Sequence, residues 1–243
     1  MSATNQPQTT KTIIVENVLA SYLFVARPNK NKDPQTGKET EVYCVDGVFP
    51  PTHPALAQIK AAQREVAQAA WGTRQEDFAL GAPNEHGQLS MISLPRFEGV
   101  LRELMRDNKI PLRDGNRRKK KEEPYTGNFY LAARNSKAQP SVVTTRKNPA
   151  TGQPENVLIQ PGDPQYPKSG DYVNLIVDIW AQSPDHKPSQ YGQRINCQFA
   201  GIQLVKKGTP IGGGGRTANL SEFGLVSSDA DSEPPAADDT SLV

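Results

Sequence analysis

Cysteine and histidine are scarce in this chain of 243 residues, with 2 and 3 copies. Cys44 and Cys197 stand far apart with no CxxC pair, and His53, His86 and His186 are scattered. That excludes a zinc site built from closely spaced ligand pairs, and it excludes a disulfide framework. No run approaches the ~18 consecutive apolar residues of a membrane span. The opening MSATNQPQTTK is polar and lacks the apolar centre of a signal peptide, so a soluble protein that stays inside the cell making it is expected. Core formers are also few. Hydrophobic residues make up 35% and aromatic ones 7%, against 21 Pro and 19 Gly, which is rich in chain breakers for a globular protein. A compact body with long loops follows, with at least one end that does not fold.

Residues for catalysis are missing as well. None of the three His has a nucleophile or a carboxylate cluster beside it, and Glu122 and Glu123 adjoin a basic run as its counter-charges. GGGGRT at 212–217 is not a phosphate loop, because that pattern needs Gly where Pro210 stands and Lys where Arg216 stands. The chain reads as a non-enzyme without metal or cofactor.

Charge is present but unevenly placed. The net value is only +2, yet Glu222, Asp229, Asp231, Glu233, Asp238 and Asp239 fall after position 221 with no Lys or Arg among them. The residues before them therefore hold all 28 basic side chains against 20 acidic ones, a body of +8 joined to a tail of −6.

The pattern of the body is mainly β. In TIIVENVLASYLFVA (12–26), Ile13, Val15, Leu19, Leu23 and Val25 share one phase of a two-residue period, which predicts a long strand or two joined at a bend. RPNKNKDPQTGKET reads as a basic loop, and EVYCVDGVF (41–49) as a second strand. HPALAQIKAAQREVAQAAWG predicts a helix with Leu56, Ile59, Val66 and Ala70 on one face, Pro54 in its first turn and Gly72 at its end. PRFEGVLRELMRDN predicts another, with Pro95 in the first turn and Phe97, Val100, Leu101, Leu104 and Met105 as a stripe facing a sheet. Short strands follow at NFYLAAR and SVVTT, then a Pro- and Gly-rich connection over 147–170.

DYVNLIVDIWAQ is the clearest strand. Val173, Leu175, Val177 and Ile179 face a core, which leaves Tyr172, Asn174, Ile176, Asp178 and Trp180 on a second, available face. In QRINCQFAGIQLVKK the apolar phase switches at Ala200-Gly201, as it does at a β-bulge, and bulged, curved strands are what small closed barrels need. DPQTGKE and NPATGQPE read as two similar loop tips. From Gly208 onward a Gly run leads into Ser, Asp and Pro with little to bury, a linker and a disordered acidic tail.

Arg113, Arg117, Arg118, Lys119, Lys120 and Lys121 form a basic run, and Tyr125, Phe129, Tyr130, Arg134 and Lys137 follow within sixteen residues. A solvated loop needs only the charges. Cations interleaved with aromatics suit single-stranded nucleic acid, whose phosphates release counterions and whose exposed bases stack at roughly 1–3 kcal/mol each. Tyr172 and Trp180, with Arg194, Asn196 and Gln198 from the following strand, extend the same surface. The candidate nucleic-acid contacts are Arg113, Arg117, Arg118, Lys119, Lys120, Lys121, Tyr125, Tyr130, Arg134, Tyr172, Trp180 and Arg194.

The segments ENVLASYLFVARP, FPPTHPALAQIKAAQREVAQAAWG, IPLRDGNRRKKKEEPYTGNFYLAAR, SGDYVNLIVDIWAQ and YGQRINCQFAGIQLVKKGTPIGGG resemble, in that order, the phage-encoded single-stranded DNA-binding proteins with an OB-like fold, over most of residues 12 to 215. PLRDG before a charged loop, SGDYV at a strand start and AGIQLVKKG before a Gly-rich exit are the most specific pieces. The resemblance implies an OB-like β-barrel with two inserted helices. With the composition of its ends, the chain is expected to divide into a disordered N-terminus at 1–11, the DNA-binding domain at 12–207, and a linker and acidic tail at 208–243. The resemblance also implies sequence-independent coating and protection of single strands during phage replication and recombination, in the cytoplasm of the infected bacterial host. The tail, through Asp229, Asp231, Glu233, Asp238 and Asp239, would recruit replication or recombination proteins and compete with DNA for the cleft. The tail is similar to those of replicative single-strand binding proteins, which commonly end in an aromatic residue, whereas this one ends DDTSLV. Two rivals stay open at this point, a phage structural or decoration protein and a metal-dependent nuclease subunit.

Overall fold

The β-branched opening segment forms a strand longer than its apolar part, β1 (Thr10–Lys32). The computed structural model describes residues 9–32, 37, 39–118, 123–182 and 192–211. In chain order β1 is followed by β2 (Glu39–Phe49), α1 (Ala55–Trp71), β3 (Gln75–Pro83), β4 (Leu89–Pro95) and α2 (Arg96–Arg106). Then come β5 (Leu112–Asp114), β6 (Phe129–Asn135), β7 (Ser141–Lys147), β8 (Pro154–Leu158), β9 (Tyr172–Gln182) and β10 (Arg194–Lys206).

Five of these strands close a barrel. β1 lies antiparallel between β2 and β9, β2 pairs with β6, β9 pairs with β10, and a parallel bridge between Gln198 and Arg134 joins β10 to β6. β5 extends the sheet beyond β6, while β7 and β8 extend it beyond β10. The OB-like barrel with two helices is therefore the fold.

Alternation explains the interior. Val173, Leu175, Val177 and Ile179 of β9 are fully buried, as are Val15 and Val18 of β1, Leu131 and Ala133 of β6, and Phe199 of β10. Each large apolar side chain withdrawn from water contributes roughly 1.5–3 kcal/mol before the entropy of ordering it is subtracted. Gly47 of β2 leaves the space that Leu175 and Val18 fill, since a Cβ there would sit 2.8 Å from Leu175 Cδ1.

Irregularities supply the curvature. Phe199 pairs with Val177 and Gly201 with Ile176, so Ala200 is the extra residue of a bulge where the apolar phase switches. β1 breaks register with β9 between Val15 and Val18 and with β2 between Ser21 and Phe24. Asn17 and Tyr22 take left-handed φ values of 49° and 46° within those breaks.

α1 packs on β1 and β9, burying Ile59, Ala62, Val66, Ala67 and Trp71, with Leu56 and Ala70 half-buried. Gly72 ends it in a left-handed conformation (φ 76°), and its N–H donates to Gln68 O at 2.9 Å. Pro54 and Pro95 each stand at the cap position, one residue before the first turn. α2 lies on α1 and on the β3–β4 hairpin, and Phe78 of β3 packs so closely over Gly99 that a Cβ there would collide with the ring. Its stripe is narrower than expected, because Met105 is half exposed. Among the described residues no helix is long and apolar enough to cross a membrane.

Several expectations need correction. The expected loop from Arg27 begins as strand, with Asn29 to Lys32 paired to Val42 to Glu39. The β3–β4 hairpin lies in a region read without strands, and β8 lies in a stretch read as connection. β1 starts at Thr10, two residues inside the segment expected to be disordered. NPATGQPE does form a loop tip between β7 and β8, where Asn148 N–H donates to Gln153 O. Most of DPQTGKE, the Gly run and the acidic tail lie outside the described residues.

Two of the quoted motifs meet in space. The carboxylate of Asp171, from SGDYV, is buried and accepts from Lys168 N at 2.8 Å, Gly208 N at 3.0 Å and Lys207 Nζ at 3.1 Å, the last two from VKKG. The end of β10 is thereby pinned to the start of β9.

Candidate nucleic-acid interface

The face of the barrel that turns away from the core carries the candidate site. Register aligns Phe24 of β1 with Cys44 of β2 and Arg134 of β6, then Arg134 with Gln198 of β10, and Asn196 of β10 with Trp180 of β9. Two clefts follow this row. One, of about 490 Å³, is lined by Tyr22, Phe24, Asp46, Arg117, Arg118 and Tyr130 among others. The other, of about 350 Å³, is lined by Lys109, Lys137, Trp180, Arg194, Asn196 and Gln198 among others. Arg113, Ala132 and Arg134 line both, so the two clefts form one groove with arginines at its middle and aromatic rings at its ends.

Local geometry builds the first cleft. Asp114 caps a short 3-10 turn, Gly115–Arg117, by accepting from Asn116 N at 2.9 Å. Gly115 lies against the carbonyls of Tyr125 and Asn128, where any Cβ would clash, which explains the RDG sequence. The turn directs Arg118 back over the barrel. Its Nη1 donates to Asp46 Oδ2 at 3.1 Å, and its guanidinium carbon lies 3.8 Å from the Tyr125 ring centre, 5.1 Å from Tyr22 and 5.4 Å from Tyr130. Tyr125 donates its hydroxyl to the same Asp46 oxygen at 2.8 Å and meets Tyr130 edge-on at 5.1 Å. Burial pushes the Asp46 carboxyl above its usual range, against the opposing pull of the Tyr125 and Arg118 hydrogen bonds. Burial, followed by the Asp46 charge, also pushes the Tyr125 hydroxyl far up, so it stays a donor.

The model of the Enterobacter phage Enc34 single-stranded DNA-binding protein family matches residues 11–234. This chain belongs to that family. Among solved structures, the single-stranded DNA-binding protein from bacteriophage Enc34 in complex with ssDNA is similar at 19% identity and a TM-score of 0.52, over 83% of this chain and 89% of that one. Another structure of the bacteriophage Enc34 protein is 18% identical with a TM-score of 0.50, over 87% and 88%. These likenesses are likenesses of fold. A search of curated proteins gave no match.

In this Enc34-family chain the groove gathers Arg113, Arg117, Arg118, Tyr130, Arg134, Trp180 and Arg194 from the predicted set. Tyr125 lies beneath the groove rather than along it. The residue is 1% exposed with the Arg118 guanidinium over its ring, so it braces the cleft wall. Tyr130 is 6% exposed and lines the first cleft. Tyr172 lies at the far end of β9, eight residues or about 26 Å of extended chain from Trp180, beneath Lys206 Nζ at 4.3 Å. Neither cleft includes it. Lys119, Lys120, Lys121 and the tail acids Asp229, Asp231, Glu233, Asp238 and Asp239 lie outside the described residues.

Sequence reasoning missed Tyr22 and Phe24, which are 47% and 36% exposed at one end of the groove. A signal was present, because both fall in the phase of β1 opposite to Leu23 and Val25. Tyr22 is a bulky residue in the left-handed region, a costly conformation that here accompanies the register break turning its ring outward. Among the described residues no three His, Cys, Asp or Glu are grouped to hold a metal ion.

Proposed function

We propose that this protein binds single-stranded DNA without sequence preference, in the groove across β1, β2, β6, β10 and β9. The observation that carries this reading is the continuity of the two clefts through Arg113 and Arg134, with Tyr22 and Phe24 at one end and Trp180 at the other. Cations along the groove answer phosphates, and the rings answer unstacked bases, which a duplex hides. Family membership and the fold shared with the ssDNA complex support it. The role is binding without a chemical step. Coating a strand protects it and melts its hairpins, which serves phage DNA replication and recombination in the cytoplasm of the infected host.

The acidic tail belongs to this proposal through its charge. A segment of −6 tethered to a body of +8 competes with DNA at high effective concentration and presents acidic residues to replication or recombination proteins. Deleting residues 222–243 then tightens DNA binding most at low salt.

The deciding experiment is fluorescence anisotropy of labelled single-stranded and duplex DNA of equal length, with full-length protein at several salt concentrations and with magnesium present in parallel. Strong, salt-dependent preference for the single strand supports the reading. Equal, weak and salt-insensitive binding overturns it in favour of a structural phage protein, and magnesium-dependent cleavage overturns it in favour of a nuclease.

A further inference from the structure

Beside the groove, and outside the barrel face, lies a third cavity of about 480 Å³ between α1, α2, β5 and the start of β6. Its volume falls within the ~300–1,000 Å³ of small-molecule sites. Leu101, Met105, Leu112 and Phe129 contribute apolar walls, while Lys60, Arg113 and Arg117 bring cations. Asn108, Arg113, Asp114 and Arg117 line both this cavity and the 490 Å³ cleft, so a strand held in that cleft passes beside its entrance.

We propose that this cavity receives a nucleobase turned out of the bound strand, and the proposal rests on the single-strand reading above. Three observations favour a base. The entrance cations are those of the groove, so the phosphates flanking an inserted base stay on Arg113 and Arg117. The acid at the entrance, Asp114, accepts on Oδ1 from Asn116 N and Nδ2 at 2.9 and 3.0 Å, which ties that oxygen into the turn. Gln63, a wall residue only 4% exposed, carries an amide nitrogen that is buried without a hydrogen-bond partner. A buried unpaired donor is costly, and a base carbonyl supplies the acceptor it lacks. Met105 at 49% exposure keeps an adaptable apolar wall open to the entering ring.

Methionine makes the test direct, because the chain has three, Met1, Met91 and Met105. Full-length protein labelled at the methionine methyl carbons is titrated with oligothymidylate and with an abasic oligonucleotide of the same length. The Met105 signal moves with thymidylate, in step with the binding isotherm. It stays in place with the abasic strand, and Met91 on the β3–β4 hairpin is unmoved by either. Gln63→Leu weakens thymidylate binding about fivefold or more, the lower end of one base contact, and leaves abasic binding unchanged, which separates a lost base contact from a damaged fold. Tight thymidylate binding with a stationary Met105 overturns the pocket and leaves the function standing. Absence of binding to both oligonucleotides overturns both. Movement of Met105 with an acidic, apolar peptide but not with thymidylate makes the cavity a peptide site and overturns the proposal.

Discussion

The guanidinium carbon of Arg118 lies 3.8 Å from the centre of the Tyr125 ring. Both residues come from the stretch where cations and aromatics alternate, and the fold spends one of each on the other. Asp46, more than seventy residues earlier in the chain, holds the pair by accepting from both. A run that reads as nine independent DNA contacts thus contains a strut that shapes the cleft.

Tyr125→Phe tests that division of labour. It removes the 2.8 Å hydrogen bond to a buried carboxylate and keeps the packing of the ring. Hydrogen bonds to charged groups contribute roughly 1.5–3 kcal/mol, so urea unfolding should show a loss of about 1–2 kcal/mol once relaxation is allowed for. Affinity for single-stranded DNA should stay within about twofold, equivalent to ~0.4 kcal/mol. A large loss of affinity at unchanged stability would make Tyr125 a contact after all.

Asp46 predicts an inverted pH dependence. Its carboxyl is held above the ordinary value near ~4 by burial, so the folded state binds the proton more tightly than the unfolded chain. Its contribution to stability is therefore complete below the unfolded value and is lost as pH rises through the raised folded value. The stability of the wild type minus that of Asp46→Asn should decline as pH rises above the ordinary carboxylate value of about 4. Denaturant midpoints at several pH values measure it, and a difference that grows with pH would contradict the raised carboxyl.

What the sequence revealed and what it hid follow from burial. β9 was legible because both of its faces are decided, Val173 to Ile179 at zero exposure inside and the opposite phase outside. The bulge at Ala200 was legible for the same reason, since a phase switch marks a change of buried face. β4 and β8 carry almost no buried side chains, so they leave no alternation to read. Asn29 to Lys32 pair with β2 through the backbone, which composition does not report. At the site, the sequence picked out arginines and Trp180 that the fold brings to one groove. The enclosure of Tyr125 was not, because it depends on Asp46 and on the turn at Gly115, contacts distant in sequence.

Tyr22 and Trp180 mark the two ends of the groove, and Tyr172 stands apart from it. Tyr22→Ala and Trp180→Ala should each weaken single-strand binding by about 1–3 kcal/mol, the range for one stacked base. Tyr172→Ala should change it by less than about 0.5 kcal/mol, as surface substitutions commonly do. Arg134→Ala should reduce the slope of log affinity against log salt by about 0.7, the value for one phosphate on a single strand. Anisotropy across a salt series reads all four, and equal losses for Tyr22, Trp180 and Tyr172 would place the strand elsewhere.

Asp171 holds the end of β10 to the start of β9 through backbone groups more than through charge, and two substitutions separate these contributions. Lys207 Nζ reaches Asp171 at 3.1 Å, but its side chain is 46% exposed, so this ion pair is screened and contributes roughly 0–1 kcal/mol. The bonds from Lys168 N and Gly208 N end on the same carboxylate, which is 5% exposed, and without it both donors lose their acceptor beside the point where Gly170 and Gly208 touch. Asp171→Ala should therefore cost about 2–4 kcal/mol, summing two charge-assisted bonds with partial relaxation, whereas Lys207→Ala should cost under about 1 kcal/mol. Hydrogen exchange should localise the Asp171→Ala effect to Gly208 and the adjoining end of β10, because the bulge at Ala200 and the β9 core remain packed. Comparable losses for the two variants would mean that the ion pair, not the carboxylate's hold on the backbone, joins the end of β10 to the start of β9.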